Sequence, residues 1–490
     1  MTVSANQTRR NGQKGPPPEF ASPRAMAYQA RILLPASVVA RLLLAVAVVV
    51  AGPEFNIGEF RSAFATWPPG ETPALATRFA TWDSAHYLKL SQEGYKAGSH
   101  SCAFYPLWPL VIRATTALTG GWPVLTSLLL ANALSLVGLW LFYRLVGRHC
   151  GAAVSRHSLI LMLAFPAAFF FSFPYTESLY LVILMLLFWG LELDRWAWTA
   201  VAGFLLPLAR PVGVFIVLTL ACYLYERGRR AAAERIVMGG GGDSPVLVGD
   251  PPSETAEHTL TTRSSALART AVPVPSGGSP DGTGGPPVLP RAGDWLWGWL
   301  STNRASLRDW KGRLAFAATG LLGTIAQRHA LLLLCPLLGC ATYFGTMYAW
   351  TGNAFEGFEA QKAYPYSPSI KNMFDFPAFW SAFINVRSVD GMMDSALDRG
   401  FFLLFLALLP AVWKLNRTWF WYTLPTGLVP ALTSYFMSYR RYVMVLFPLF
   451  VVMAQRLAKG PRWIFWYYVI LMAALQAWAV TRFVNFNWAG

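Results

Sequence analysis

The densest chemistry in the sequence is the run Trp82-Asp83-Ser84-Ala85-His86-Tyr87, followed by Glu93-Gly94-Tyr95. On a helix Asp83, His86 and Tyr87 fall at i, i+3 and i+4 and share one face. A carboxylate, an imidazole and a phenol then project together, a set able to hold or move a proton. The same pattern also fits an amphipathic helix lying on a membrane with Asp83 as its cap. A divalent-metal site built on Asp83 and His86 with Glu93 or His100 is a further alternative, but these residues lack tight ligand spacing. We therefore expect no cofactor.

Four further charges stand where charge is costly. Glu177, in Phe173-Pro174-Tyr175-Thr176-Glu177-Ser178, lies between two apolar runs. Arg210, in Arg210-Pro211-Val212-Gly213, interrupts an apolar stretch, and Arg440 and Arg441 open another. Ionisable groups in such places are functional candidates by default. Arginines on the outer side of a membrane oppose the positive-inside trend. An anionic lipid headgroup accounts for them, because guanidinium matches phosphate in a bidentate way.

The elements that must position these residues are membrane helices. Of 490 residues 55% are hydrophobic and only 13% charged, about half the charge of an ordinary soluble protein. Apolar runs at 32–52, 122–146, 330–350 and 440–458 approach the roughly 20 residues that cross a bilayer as a helix. This excludes a large soluble enzyme, a disordered scaffold and a secreted disulfide module. The net charge of +16 is spread over membrane-flanking loops, with no aromatic-interleaved basic domain, so nucleic acid is not an expected partner. The five cysteines are scattered, without a CxxC pair, which argues against a disulfide framework or a zinc cluster.

The fold class is all-α and polytopic. We expect about 11 spans, near 32–52, 122–146, 158–173, 176–194, 196–209, 212–226, 329–350, 400–414, 418–436, 440–458 and 463–482. Several are short or broken, which is tolerated where helices line a cavity. Residues 1–31 read as a disordered cytoplasmic tail, 32–226 as an N-terminal catalytic module with an outer loop at 53–121, and 227–328 as a cytoplasmic linker. Within the linker 236–294 is low-complexity, with Gly239-Gly240-Gly241-Gly242 and Gly284-Gly285-Pro286-Pro287, too poor in apolar residues to order itself. Residues 329–490 form a C-terminal membrane module with an outer loop at 351–399. The tail carries five Lys/Arg against one acid, and 226–328 twelve against nine, whereas 53–103 and 351–399 are slightly acidic. The positive-inside rule then puts Asp83 outside, provided 196–226 is a hairpin around Arg210-Pro211.

The ordered set Trp82-Asp83-x-x-His86-Tyr87, Ala103-Phe104-Tyr105-Pro106-Leu107-x-Pro109-Leu110, Pro166-Ala167, Tyr175-Thr176-Glu177-Ser178-Leu179, Ala209-Arg210-Pro211-x-Gly213 and Arg441-Tyr442 resembles the PIG-V-like mannosyltransferases, the GPI mannosyltransferase 2-like family. The likeness spans 32–226 and resumes over 400–482; the insert at 236–294 departs from it. The resemblance implies a GT-C glycosyltransferase in a plasma or endoplasmic reticulum membrane. Such an enzyme takes a sugar, mannose by family, from a polyprenyl-phosphate carrier on the non-cytoplasmic side. Its acceptor is a hydroxyl of a glycolipid, polysaccharide or protein.

The family's catalytic acid residue maps to Asp83. A phosphate leaves as a stable anion, so one base and cationic clamps suffice where a glycosidase needs two carboxylates. Asp83 is the expected base, with inversion at the anomeric carbon. Arg210 with Arg440 or Arg441 is expected on the donor phosphate, and Trp82, His86, Tyr87 and Glu177 are expected to position substrate. A transporter or flippase of lipid-linked sugars would share the spans and the outer arginines without the chemistry.

Overall fold

In a computed structural model the structure describes residues 23–50, 67, 78–239, 328–364 and 367–489. Most of the expected tail and most of 227–328, including all of 240–294, lie outside the described residues. The chain divides into two compact units, residues 1–224 with 327–490, and residues 225–326. The charged residues singled out from the sequence all lie in the first.

The described residues are helical, without strands. The helices are α1 (Pro23–Val50), α2 (Asp83–Glu93), α3 (Leu107–Thr119), α4 (Pro123–Ala164), α5 (Glu177–Glu192), α6 (Trp196–Ala209) and α7 (Ile216–Gly239). After the interruption come α8 (Leu334–Thr351), α9 (Glu356–Gln361), α10 (Phe376–Ile384), α11 (Ala396–Leu415), α12 (Arg417–Ser434), α13 (Tyr439–Val445), α14 (Phe447–Leu457) and α15 (Arg462–Val484). Among the described residues five stretches are long and apolar enough to cross a membrane: Pro123–Ala164, Pro211–Arg230, His329–Thr351, Ala396–Leu415 and Arg462–Val484. The fold is that of an all-α membrane protein. Helix α5 is apolar around nearly its whole circumference and buried along its length, as a helix without a polar face must be.

Three expected spans are cut differently. The runs 122–146 and 158–173 are joined in α4, whose direction changes at Gly151 (φ 82°, ψ 163°), a conformation that glycine adopts at little cost. The second run leaves the helix at Phe165-Pro166 rather than continuing to 173, because proline restricts the residue before it to extended backbone. Residues 165–176 then form an irregular buried strap with a 3-10 turn at Ala168–Phe171. Several carbonyls of the strap and of the helical turn before it have side-chain partners. Those of Leu163 and Phe165 accept from the Gln476 amide, that of Ser172 from Asn132, and that of Pro174 from the Trp108 indole. Irregular backbone inside a membrane protein persists only with such partners. The run 440–458 is likewise two helices, α13 and α14, separated at Leu446.

The hairpin expected around Arg210-Pro211 is present. After α6 the chain turns through a 3-10 segment, Pro211–Phe215. It then returns so that the Tyr223 hydroxyl donates to the Leu191 carbonyl and the Tyr223 ring meets Trp196. A Cβ at Gly213 would clash with the Leu206 carbonyl oxygen, so only glycine lets this segment fold back on α6. Helices α12 and α13–α14 form a second hairpin, with Trp419 and Tyr422 against Phe447. Its turn places Tyr435, Phe436 and Ser438 at positive φ.

The two loops expected outside pack on each other and on α8. Tyr105 stacks on Tyr343 at 4.4 Å and Tyr95 on Trp350 at 5.0 Å. The Gly98 amide donates to Glu356 Oε1, and the Tyr364 hydroxyl to the His100 carbonyl. The five cysteines are free thiols.

Replacing Gly213 by alanine should push the Pro211–Phe215 turn off α6. We expect a loss of about 1–3 kcal/mol of stability from overpacking, read as a lower thermal midpoint in detergent. An unchanged midpoint would mean the close contact with Leu206 is dispensable.

Candidate functional site

The break points of the helices deliver the charged residues. Glu177 is the first residue of α5 and Asp83 the first of α2, where the positive end of each helix favours a carboxylate. Arg210 occupies the extended residue between α6 and the 3-10 turn (φ −152°, ψ 147°). Arg441 sits in the first turn of α13. All four are near the Glu177 end of α5. Its other end, about 22 Å away by helical rise, carries Glu192 paired with His149 and Arg148.

Arg441 joins the set. Its NH1 lies 2.5 Å from Asp83 Oδ2, while Nε and NH2 both reach Glu177 Oε1 at 2.9 Å. Arg210 NH1 donates to the same Glu177 oxygen at 3.2 Å. The order is therefore Asp83, Arg441, Glu177, Arg210, two carboxylates alternating with two guanidinium groups. The aromatic strap supports it. The Arg441 guanidinium lies over Phe170 and Tyr175, 4.8 and 4.7 Å from their ring centres, and Arg210 lies 4.9 Å from the Tyr442 ring. Such faces attract a desolvated cation.

Exposure divides the four. The Glu177 side chain is 0% exposed and those of Arg210 and Arg441 are 8% and 9%, whereas Asp83 is 29% exposed. Asp83 is thus the end of the chain that a solute can reach, and the other three stand behind it. An isolated buried charge costs several kcal/mol, and the alternation of sign offsets that cost.

Three other expected residues surround Asp83. Trp82 precedes α2 at φ 55°, ψ −131°, a conformation nearly confined to glycine, and its ring stands edge-on to Trp488 at 5.4 Å. His86 is buried; its Nδ1 is 3.0 Å from Ser101 Oγ and its ring stacks on Phe104 at 4.5 Å. Burial lowers its pKa to about 4 against the pull of Asp83, so the imidazole is neutral in ordinary buffers. Tyr87 is buried between Phe104 and Tyr175, and burial raises its pKa. His86 and Tyr87 brace α2 from within the protein.

Arg440 is not brought to Asp83. Fully buried, it donates through NH2 to Asp390 Oδ1, and its backbone N–H donates to Asp398 Oδ1 at 2.9 Å. Of the two neighbouring arginines, Arg441 alone faces the Asp83–Glu177 pair. The metal set considered from sequence does not gather either: Glu93 pairs with Lys96, His86 with Ser101. Among the described residues no three His, Cys, Asp or Glu side chains could hold a metal ion. Asp390 and Asp398 escaped sequence reasoning because acids in a polar loop look solvated. The available signal was Arg440 itself, a second buried cation needing counter-charge.

Two outcomes follow. Glu177→Gln leaves two buried guanidinium groups without their shared anion and should cost about 3–5 kcal/mol of stability. Asp83→Asn, at the exposed end, should cost far less, and equal losses in detergent denaturation would contradict the order of burial. The second concerns pH. His86 is held at about 4 when folded and rises toward about 6.5 when unfolded. The unfolded chain therefore binds the extra proton between those values, and stability falls as pH drops through that window. The full effect is roughly 3 kcal/mol, and His86→Asn should remove this part of the slope; an identical slope in the variant would refute it.

Residues 72–227 match the family model described as mannosyltransferase (PIG-V). No curated protein matches the chain. The matched stretch contains Asp83, Glu177 and Arg210, three of the four linked charges. It bears out the resemblance read from the sequence over that stretch, and the protein is a membrane glycosyltransferase.

Proposed function

We propose that this multi-pass enzyme transfers mannose from a polyprenyl-phosphate carrier to a hydroxyl acceptor on the non-cytoplasmic side, with Asp83 as general base and inversion at the anomeric carbon. The observation that carries the reading is the partly exposed carboxylate of Asp83, tied through Arg441 to a buried, charge-balanced set. The side rests on charge. The loops around Asp83 are slightly acidic, whereas the basic excess lies in 1–31 and 226–328, as expected for cytoplasmic segments.

The geometry suits the movement of charge in this reaction. The acceptor hydroxyl attacks the anomeric carbon and its proton passes to Asp83. The bond from that carbon to the phosphate oxygen breaks, and the phosphodiester, with one negative charge, leaves as a monoester with two. The carboxylate loses the charge that the phosphate gains. Once the proton arrives Asp83 no longer neutralises Arg441, whose NH1 then faces the leaving phosphate while Glu177 keeps hold of Nε and NH2. Arg210 supports the same anion. Donors fixed before the reaction where charge develops give the largest electrostatic benefit. Glu177 accordingly sets the two guanidinium groups, and Trp82, His86 and Tyr87 set α2 beneath the acceptor. A carrier of lipid-linked sugars would place its charged groups near the bilayer midplane. Here they lie at one end of α5, in line with the mannosyltransferase match.

In membranes given radiolabelled polyprenyl-phosphate mannose, Asp83→Asn should lower transfer by about 10²–10⁴-fold while the protein remains folded. The product of the unaltered enzyme should show the opposite anomeric configuration to the donor. Wild-type rates in the variant would remove Asp83 as base, and retention would remove single displacement.

A further inference from the structure

We infer that Asp390 and Asp398, in and just after the second outer loop, are positioning residues that aim Arg441 at Asp83; the catalytic part of this inference rests on the reading above. Helix α13 has only seven residues, too few to be stable alone. It is cut from α12 by the turn with Tyr435, Phe436 and Ser438 at positive φ, and from α14 at Leu446 (ψ 64°). Its direction and its rotation about its own axis must therefore be fixed by tertiary contacts. Such conformations in non-glycine residues persist only where the surroundings over-determine them.

Arg440 supplies that fixing. Successive residues on a helix point about 100° apart, so Arg440 and Arg441 reach different partners, and holding one sets the direction of the other. Asp398, 0% exposed, accepts the Arg440 backbone N–H at 2.9 Å. Asp390 accepts from the Arg440 guanidinium and is approached by Arg482 Nε at 3.8 Å. Arg482 NH2 also donates to the Asp390 carbonyl at 3.1 Å. Backbone and side chain of Arg440 are thus both held.

The acids are themselves fixed. The Asp398 N–H donates to Ser395 Oγ at 3.1 Å. Arg399 donates to the carbonyls of Ser395 and Met393, and across to those of Ala382 and Phe383 at the end of α10. Polar contacts therefore run from α10 and the 385–398 loop to Arg440, and the backbone of α13 joins Arg440 to Arg441 and its contact with Asp83. The role of Asp390 and Asp398 is geometric, because neither contacts Asp83, Glu177, Arg210 or the Arg441 side chain through any hydrogen bond or ion pair found among the described residues.

The test is a double-mutant cycle on the purified full chain. Asp83→Asn, Arg441→Gln and both together are compared by thermal denaturation in detergent, in wild-type and Asp398→Ala backgrounds. We expect coupling between Asp83 and Arg441 in the wild type and its loss in Asp398→Ala. Asp398→Asn, whose side-chain oxygen still accepts the N–H, should restore it. Undiminished coupling in Asp398→Ala would overturn the proposal whatever reaction the protein performs. Asp390→Ala, which removes the oxygen that accepts from the Arg440 guanidinium, carries the same cycle through the side-chain arm should Asp398→Ala fail to fold.

With radiolabelled polyprenyl-phosphate mannose, Asp398→Ala should lower kcat by about a hundredfold, the scale of a 1 Å misplacement, with KM for the donor little changed. It should add nothing to the loss in Arg441→Gln. Additive losses would overturn the positioning role, whereas full activity of Asp83→Asn would overturn the base assignment and leave the denaturation cycle to decide this one.

Discussion

One guanidinium group divided between two carboxylates sets the terms for the whole described bundle. Arg441 gives one nitrogen to Asp83 and two to Glu177, and these residues belong to three helices far apart in the chain. Each contact is made with little water to screen it, so each is strong if aligned and costly if missed. The arrangement therefore demands that α2, α5 and α13 begin close together and in fixed orientations. The aromatic strap at 165–176, the Trp108 indole bond to its backbone and the buried His86–Ser101 contact are means to that end.

The irregular stretches make sense on the same ground. A continuous membrane helix keeps its backbone groups satisfied and exposes nothing for chemistry. At the Asp83 end the helices instead stop: α4 at Phe165, α6 at Arg210, α12 at Tyr435, α13 at Leu446. Each stop frees backbone groups that need partners, and the stop at Arg210 brings a guanidinium to Glu177. At the Glu192 end the ion pairs with His149 and Arg148 are partly exposed, and the turn of α4 at Gly151 gathers no buried charges. The two ends of one bundle thus follow different rules.

Much of this was legible in the sequence. Composition and run length sufficed for the all-α membrane class, and proline next to a charge marked Arg210-Pro211 as a hairpin tip. Asp83 was singled out by its helical spacing to His86 and Tyr87, and Glu177, Arg210, Arg440 and Arg441 by the cost of charge in apolar surroundings; of these five the structure brings together all but Arg440. What hydropathy could not reveal was where apolar residues leave the helix. The run Ala168-Phe169-Phe170-Phe171 is as apolar as a span, yet it forms a strap because Pro166 and Pro174 bracket it. Nor could hydropathy separate Arg440 from Arg441. Adjacent residues share a hydropathy window, and only helix rotation sends one to Asp390 and the other to Asp83.

The buried network is hard to explain as a source of stability. Well-packed apolar residues of similar volume commonly do as well as a buried ion pair or better, because desolvation consumes most of the attraction. A chain selected for folding alone would replace Glu177, Arg210 and Arg441 by leucine or phenylalanine, which the surrounding Phe170, Tyr175 and Tyr442 would accept. Retaining four charges in alternation makes sense if one of them must change its charge state while the others stay fixed. Asp83 is the member placed to do so, being the most exposed of the four. The remaining three form a rigid electrostatic wall whose net charge of plus one exceeds neutrality once Asp83 takes a proton. That excess appears when a leaving phosphate acquires its second negative charge, which ties the arrangement of the resting protein to the step it is proposed to perform.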